Sequence, residues 1–465
     1  MLRLVDLSGT RQTRREFLSV GSLGLGGLSL PKLLQAREST IRAGLPTHDM
    51  SVVFLFMHGG PPQAETFDPK MTAPSEYRSA VGEINTSIPG VTFGAPLQGL
   101  ARLADKLTVV RSFRTGDGNH DIKPIVGRHT HGANLGSVYA RVVGTMHPTT
   151  GLPSNVALFP QAIDPEAQPP VSQFGQFDAS GPFSRAYAPF LPDGEGGLLD
   201  NLQLRVPLER LDDRRYLLGQ LDQVRRHLDA AESLPGLEAN RLQAYRILQN
   251  SVSKAFDLAD EDPRTVARYD TSHVVPPNTI DNRWNNRKWY LDHGKTLGKL
   301  MLMARRLCER GVGFVTVTTG FVWDMHADVN NATIEEGMRY CALPFDHAVS
   351  AFIEDIEARG LSENIMLIAC GEMGRTPKIN ASGGRDHWGG LAPLLIYGGG
   401  LKMGQVIGQS DAHAAYPASE PYGIDHLVST VLHSFFDIGQ LRLAQELPRE
   451  ITELVDAAPP IDGLF

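Results

Sequence analysis

The chain has 465 residues, 42% of them apolar, and a formal net charge of −8. That length suits one large α/β domain with insertions, or two domains, and the acidic balance without a basic stripe excludes a nucleic-acid binder. Three cysteines, Cys308, Cys341 and Cys370, lie far apart; they form no CxxC and no disulfide framework, and read as buried free thiols.

Thr13-Arg14-Arg15-Glu16-Phe17-Leu18 precedes a short Gly-, Ser- and Leu-rich run, Ser19 to Leu30. Paired arginines before such a run resemble a twin-arginine export signal. The run is too short to span a bilayer, and Gln35-Ala36 is the candidate cleavage point. The expected organisation is a signal over 1–36 and a single domain over 37–465. The expected location is periplasmic or extracellular, with no transmembrane span in the mature chain. An amphipathic or disordered tail is the alternative for the leader.

Ser51 to Met57, SVVFLFM, reads as a buried parallel strand ending at His58-Gly59-Gly60. Leu107 to Arg111 is a second strand, running into a polar tip with Thr115, His120 and Asp121. A small-residue segment, Gly132 to Arg141, follows as a possible helix. From about 148 to 286 an irregular and helical insertion is expected. Within it, Leu208 to Leu258 has helical periodicity broken at Pro235-Gly236, the pattern of a helical hairpin, and Asp262 to Asn286 reads as loop. Arg287 to Arg310 predicts a helix stopped by Gly311, and Gly313 to Thr318 a strand ending at Trp323-Asp324-Met325-His326. Thr333 with Glu336 forms a capping-box pattern, and Pro344 predicts a kink or restart before Arg359. Ile365 to Cys370 is another buried strand, followed by a Gly-rich loop carrying Glu372, Arg375, Asp386 and His387. Pro393 to Tyr397 and Ile424 to Phe436 supply one more strand and one more helix.

Strands alternating with helices imply a mainly parallel sheet covered on both faces. Its strand tips then bring His58, His120, Asp324, His326, Glu372, Asp386 and His387 to one edge. Imidazoles mixed with carboxylates suit a divalent metal, zinc first, with calcium or magnesium as alternatives. Asp324 and His326, two apart, face the same way in extended chain and can clasp one ion. The metal candidates are His58, Asp324, His326, Glu372, Asp386 and His387. Glu372 can equally cap the turn after its strand, and Asp68 before Pro69 can be a turn residue. Arg375 and Arg385 suit bidentate binding of an anionic substrate, a phosphate or sulfate ester.

FLFMHGGPPQAETFDPK, the VVRSF segment, ARRLCERGVGFVTV, WDMH, FDHAVSAFIEDIEARGL, GEMGRTP and GRDHW resemble, in order, the landmarks of the domain-of-unknown-function family numbered 1501. The resemblance implies the alkaline phosphatase-like fold, a three-layer α/β/α sandwich around a mainly parallel sheet. It also implies divalent metals held by Asp and His at strand ends, and hydrolysis of a phosphate or sulfate ester. Ser112 and Thr115 stand where such folds place a nucleophile, but neither sits in an Asp-Ser pair and no sulfatase signature occurs. Arg375, His120 and Thr115 are the catalytic candidates, with metal-activated water in place of a side-chain nucleophile. The competing expectation is a binding or scaffold protein that keeps the fold without its chemistry. A nicotinamide or flavin enzyme is disfavoured, because no G-x-G-x-x-G follows a strand.

Overall fold

The structure is a computed structural model that describes residues 48–192, 253–443 and 448–465. The export leader and most of the helical hairpin over 208–258 lie outside the described residues. One compact unit spans Pro46–Phe465.

Seven strands form the central sheet: β1 (Ser51–Phe56), β2 (Leu107–Val110), β3 (Asn155–Leu158), β4 (Phe314–Val317), β5 (Ile365–Cys370), β6 (Leu394–Gly398) and β7 (Gln405–Ile407). Their order across the sheet is β7-β2-β6-β5-β1-β4-β3. β5 is the central strand, and β1 lies next to it, parallel to β4 (Val52 opposite Phe314) and to β5 (Ser51 opposite Ile365). Only β6 runs against its neighbours, β5 and β2, within this sheet. β1 and β5 are buried along their whole length, which is why they read as unbroken apolar runs rather than alternating ones.

Alternate side chains serve different layers. Val53, Leu55, Val315, Val317, Leu367 and Ala369 join one hydrophobic cluster with Leu300, Met301, Ala304, Phe345 and Phe352. These last five come from α4 (Arg287–Glu309) and α5 (Ile334–Ala358), the long helices of one face. On the opposite face Phe314 meets Phe435 of α6 (Ile424–Phe435), and Phe435 also packs on Tyr139 of α2 (Leu135–Val143). The result is the expected three-layer α/β/α sandwich.

Several local expectations change. β3 closes one edge of the sheet from within the stretch expected to be an irregular insertion. Pro263–Tyr269 is a helix (α3) rather than loop, with Asp262 accepting from the Arg264 N–H at its start. α1 (Gln98–Arg102) and β7 carried too few residues to show a period. α5 runs through Pro344 as one helix, without a restart. Thr333 caps it as expected, accepting from the Glu336 N–H.

Candidate metal centre

The carboxyl ends of the parallel strands are tied together through main-chain groups and one buried carboxylate. After β1, Gly59 takes φ +110°, and its N–H donates to Glu372 beyond β5 (2.9 Å). A Cβ at Gly59 would lie 2.6 Å from the Asp324 nitrogen, so only glycine lets the β1 and β4 tips touch. The Trp323 N–H donates to the His58 carbonyl across the same gap (3.1 Å). From below, a two-residue ladder pairs Gly374–Arg375 with His387–Trp388, and the Arg385 N–H donates to the Met325 carbonyl (2.9 Å). His387 is thereby carried to Asp324 and His326.

Four residues converge: His120, Asp324, His326 and His387 each offer one ligand atom within 4.8 Å of the others. Around Asp324 Oδ1 stand the Nε2 atoms of His326 (2.8 Å), His387 (3.4 Å) and His120 (3.6 Å). The Nε2 atoms of His326 and His387 are themselves 2.8 Å apart. Ligands of a tetrahedral zinc at 2.0–2.1 Å sit about 3.3 Å from one another, so this spacing already brackets a zinc sphere.

The back of each of two rings is fixed by a carboxylate. Glu372 Oε1 lies 2.9 Å from His120 Nδ1, and Asp386 Oδ1 lies 3.1 Å from His326 Nδ1. A carboxylate on Nδ1 holds that proton and leaves Nε2 as the free lone pair, the arrangement that orients metal-binding histidines. The donor set therefore fits a divalent ion, and three imidazoles with one carboxylate favour zinc over calcium or magnesium.

The electrostatics set one firmly ionised carboxylate among rings that differ from one another. Burial pushes His120 down to about 3, helped by the charges of His387 and Arg375 and opposed by Asp324. Burial works to raise the Asp324 carboxyl, but Arg375, His326 and His387 outweigh it and hold it well below the usual carboxylate range. Burial also pulls at His326, yet its bond to Asp324 leaves it raised. Glu372, wholly buried, is raised by burial.

The model of the family described as protein of unknown function (DUF1501) matches residues 49–461. The chain belongs to the DUF1501 family. Among curated proteins none matches this DUF1501 chain. Among solved structures it is similar to the PsFucS1 sulfatase from Pseudoalteromonas sp., with 11% identity over 87% of this chain and 70% of that one, at a TM-score of 0.33. It is similar to the phosphonate monoester hydrolase from Silicibacter pomeroyi, with 12% identity over 89% and 78%, at 0.34. A third likeness is to Ps i-CgsB in complex with k-i-k-neocarrahexaose, with 9% identity over 84% and 72%, at 0.30. With scores this low, the fold of the DUF1501 chain rests on its own sheet.

Several candidates of the sequence reading take other places. His58 is buried outside the convergent group, and neither ring nitrogen has a hydrogen-bond partner among the described residues. It sits against the rings of Phe321 (4.9 Å), Phe56 (5.3 Å) and Phe174 (5.9 Å), and burial lowers it to about 4. Glu372 and Asp386 stand behind the histidines rather than among the ligand atoms. Thr115 donates to the Asp117 carbonyl (3.5 Å).

Arg375 is the clearest correction. Its side chain is fully buried. Its Nε–H donates to the Gly60 carbonyl (2.9 Å), and Nη2 serves the Gly59 carbonyl and Asp324 Oδ1 (2.5 Å). Nη1 faces the Arg385 carbonyl (3.2 Å) and His326 Nε2 (3.3 Å). Four of its N–H groups meet oxygen acceptors and the fifth faces the His326 nitrogen offered to the metal, all within a fully buried side chain, so it presents no free fork to a substrate anion. Arg385 is consumed likewise by Glu65 and by the carbonyls of Thr376, Pro377, Tyr77 and Arg78. In both cases the functional guess followed the charge, while the fold uses the donors internally.

Two contributors carried little sequence signal. Asn331 donates to Asp324 Oδ2 (2.9 Å), and Lys123 gathers Asp117, Asn119 O and Asp121 within 3.0 Å to shape the loop presenting His120. An Asn-Asn pair six and seven residues after Asp324, and a lysine following two aspartates, were the available hints.

Proposed function

We propose that this chain is a metal-dependent hydrolase that loads a zinc ion on His120, Asp324, His326 and His387. The observation that carries it is the convergence of three imidazole Nε2 atoms on Asp324 Oδ1, with Glu372 and Asp386 behind two of the rings. A zinc ion in such a site supplies Lewis acidity and an activated water near neutral pH. The chain's own residues do the rest. Glu372 and Asp386 hold the ring protons on Nδ1. Arg375 neutralises Asp324 from the protein side. His387, with about a third of its side chain exposed, marks the side open to solvent.

The reading extends to a phosphate or sulfate ester as substrate, on the strength of the alkaline phosphatase-like resemblance. With Arg375 and Arg385 consumed, the ester's oxygens would meet the metal rather than a guanidinium clamp. It extends also to export through the Arg14-Arg15 leader, to the periplasm or beyond. Among the described residues no helix is long and apolar enough to cross a membrane.

Metal analysis of purified protein, paired with hydrolysis of aryl phosphate and aryl sulfate esters before and after chelation, tests the proposal. Bound zinc and a chelator-sensitive rate are expected. No divalent ion, together with melting indifferent to chelator, would sink it. A second reading has its own support: four protein ligands is the count of a closed, structural zinc site. In that case the protein is a scaffold, and the zinc-loaded form melts higher but cleaves no ester.

A further inference from the structure

The carboxylate at the centre of the candidate site is asymmetric. Asp324 Oδ1 faces the three imidazoles and Arg375, while Oδ2 accepts from Asn331 Nδ2 at 2.9 Å. A carboxylate turns easily about its last torsion, whose wells are broad and two-fold. Something has to choose which oxygen points inward and at what tilt.

Asn331 is itself held at both ends. It is buried to 4% exposure. Its Oδ1 accepts from Asn286 Nδ2 at 2.5 Å, and its backbone N–H donates to Asp328 Oδ1 at 2.7 Å. The acceptor-only carboxylate on one side and the amide donor on the other fix which end is Nδ2. Next to it, Asn285 Nδ2 donates to Asn330 Oδ1 at 2.8 Å, and the Asn286 N–H donates to the Asn330 carbonyl at 3.1 Å. The Ala332 N–H donates to the hydroxyl of Tyr290 on α4 at 3.1 Å. Two asparagine pairs thus key the 328–332 turn onto the start of α4, and the last amide of that key ends on Asp324.

We propose that Asn331, braced by Asn286, is a positioning residue that aims Asp324 Oδ1 into the imidazole group. The inference rests on the metal-binding reading above and adds to it a device that sets ligand orientation. Replacing the amide by a carboxylate of the same shape removes the donor and sets two acceptors face to face. A residue behind a metal ligand typically changes affinity 10- to 100-fold.

The test measures zinc dissociation constants by chelator competition, visible absorption of the cobalt(II)-loaded protein, and melting of the metal-free protein. Variants are Asn331→Asp, Asn331→Ser and Asn286→Ala. Asn331→Asp and Asn331→Ser are expected to weaken zinc at least about tenfold and to shift the cobalt bands. Asn286→Ala, which loosens the brace alone, is expected to weaken zinc by less. Asn331→Ser keeps a small polar group in case Asn331→Asp fails to fold. Wild-type zinc affinity and wild-type cobalt bands in the Asn331 variants, with only the metal-free melting lowered, would overturn the proposal and leave the metal site standing. A wild-type protein that takes up neither zinc nor cobalt overturns both.

Discussion

Glu372 Oε1 lies 2.9 Å from His120 Nδ1, although 252 residues separate them. The same carboxylate accepts the Gly59 N–H, so one buried side chain ties three strand tips and turns one imidazole inward. Glu372→Gln keeps an acceptor for one of those bonds but removes the charge that holds the ring proton. Zinc affinity is expected to fall about 10- to 100-fold, with the fold retained. Chelator competition, beside a circular dichroism spectrum, checks this.

Loading of the site should raise stability by mass action. A ligand at 100 times its dissociation constant stabilises the native state by about 2.7 kcal/mol. Dialysis against chelator is expected to lower the melting temperature, and zinc to restore it. His387→Ala, which removes a ligand at the open side, is expected to abolish the zinc response while leaving the metal-free melting nearly unchanged. Differential scanning calorimetry on both proteins, with and without zinc, reads this directly.

Much of the frame was legible in the sequence, for physical reasons. β1 and β5 are buried on both faces, so their apolar runs could hardly be anything else. Asp324, His326 and His387 were legible because parallel strands deliver their tips to one edge. β3 was not: four residues in a Pro- and Gly-rich stretch show no period, and only pairing with β4 makes them a strand. Donor consumption at Arg375 and Arg385 was equally hidden. Whether a guanidinium is free depends on carbonyls that lie more than 300 residues away, at Gly59, Gly60 and Tyr77. His58 misled for the opposite reason: a histidine at a strand tip reads as a ligand, yet aromatic rings surround it.

The buried pair of Arg385 and Glu65 should matter more for stability than for chemistry. Their closest atoms are 2.8 Å apart, and Glu65 Oε2 also accepts from Ser79 Oγ (2.6 Å) and the Ala80 N–H (2.9 Å). Removing one member leaves an uncompensated buried charge, which costs about 3–5 kcal/mol. Glu65→Ala is expected to lose that much in urea unfolding. An unchanged midpoint would show that the pair is not holding the loop.

Gly59 makes a sharper steric prediction. At φ +110° with the Asp324 nitrogen 2.6 Å from the place of a Cβ, Gly59→Ala combines backbone strain with a clash against main chain that cannot swing away. The strained conformation alone costs about 1–3 kcal/mol. Relief by moving the β4 tip displaces Asp324, so zinc affinity is expected to fall along with the melting temperature. Titration of the variant with zinc, at a temperature where it remains folded, separates the two effects.

Asp346 gives the pH prediction, at a distance from the candidate site. It projects from α5 and accepts the Gly99 and Leu100 N–H groups at the start of α1, both at 2.8 Å. Burial pushes its carboxyl up to about 6, against the opposing pull of those two N–H groups. A folded-state value above the unfolded one means that the fold prefers the protonated acid. The associated stability is therefore full below about pH 4 and is lost as pH rises through about 6. A displacement of about two pH units corresponds to about 3 kcal/mol. Asp346→Asn cannot ionise, and its amide oxygen can still accept one of the two N–H groups. Because part of the effect is already lost by pH 4.5, it should therefore gain about 2 kcal/mol relative to wild type on going from pH 4.5 to pH 7.5. Urea unfolding of both proteins at the two pH values measures the difference. A gap between them that does not change with pH would show that Asp346 is ionised throughout.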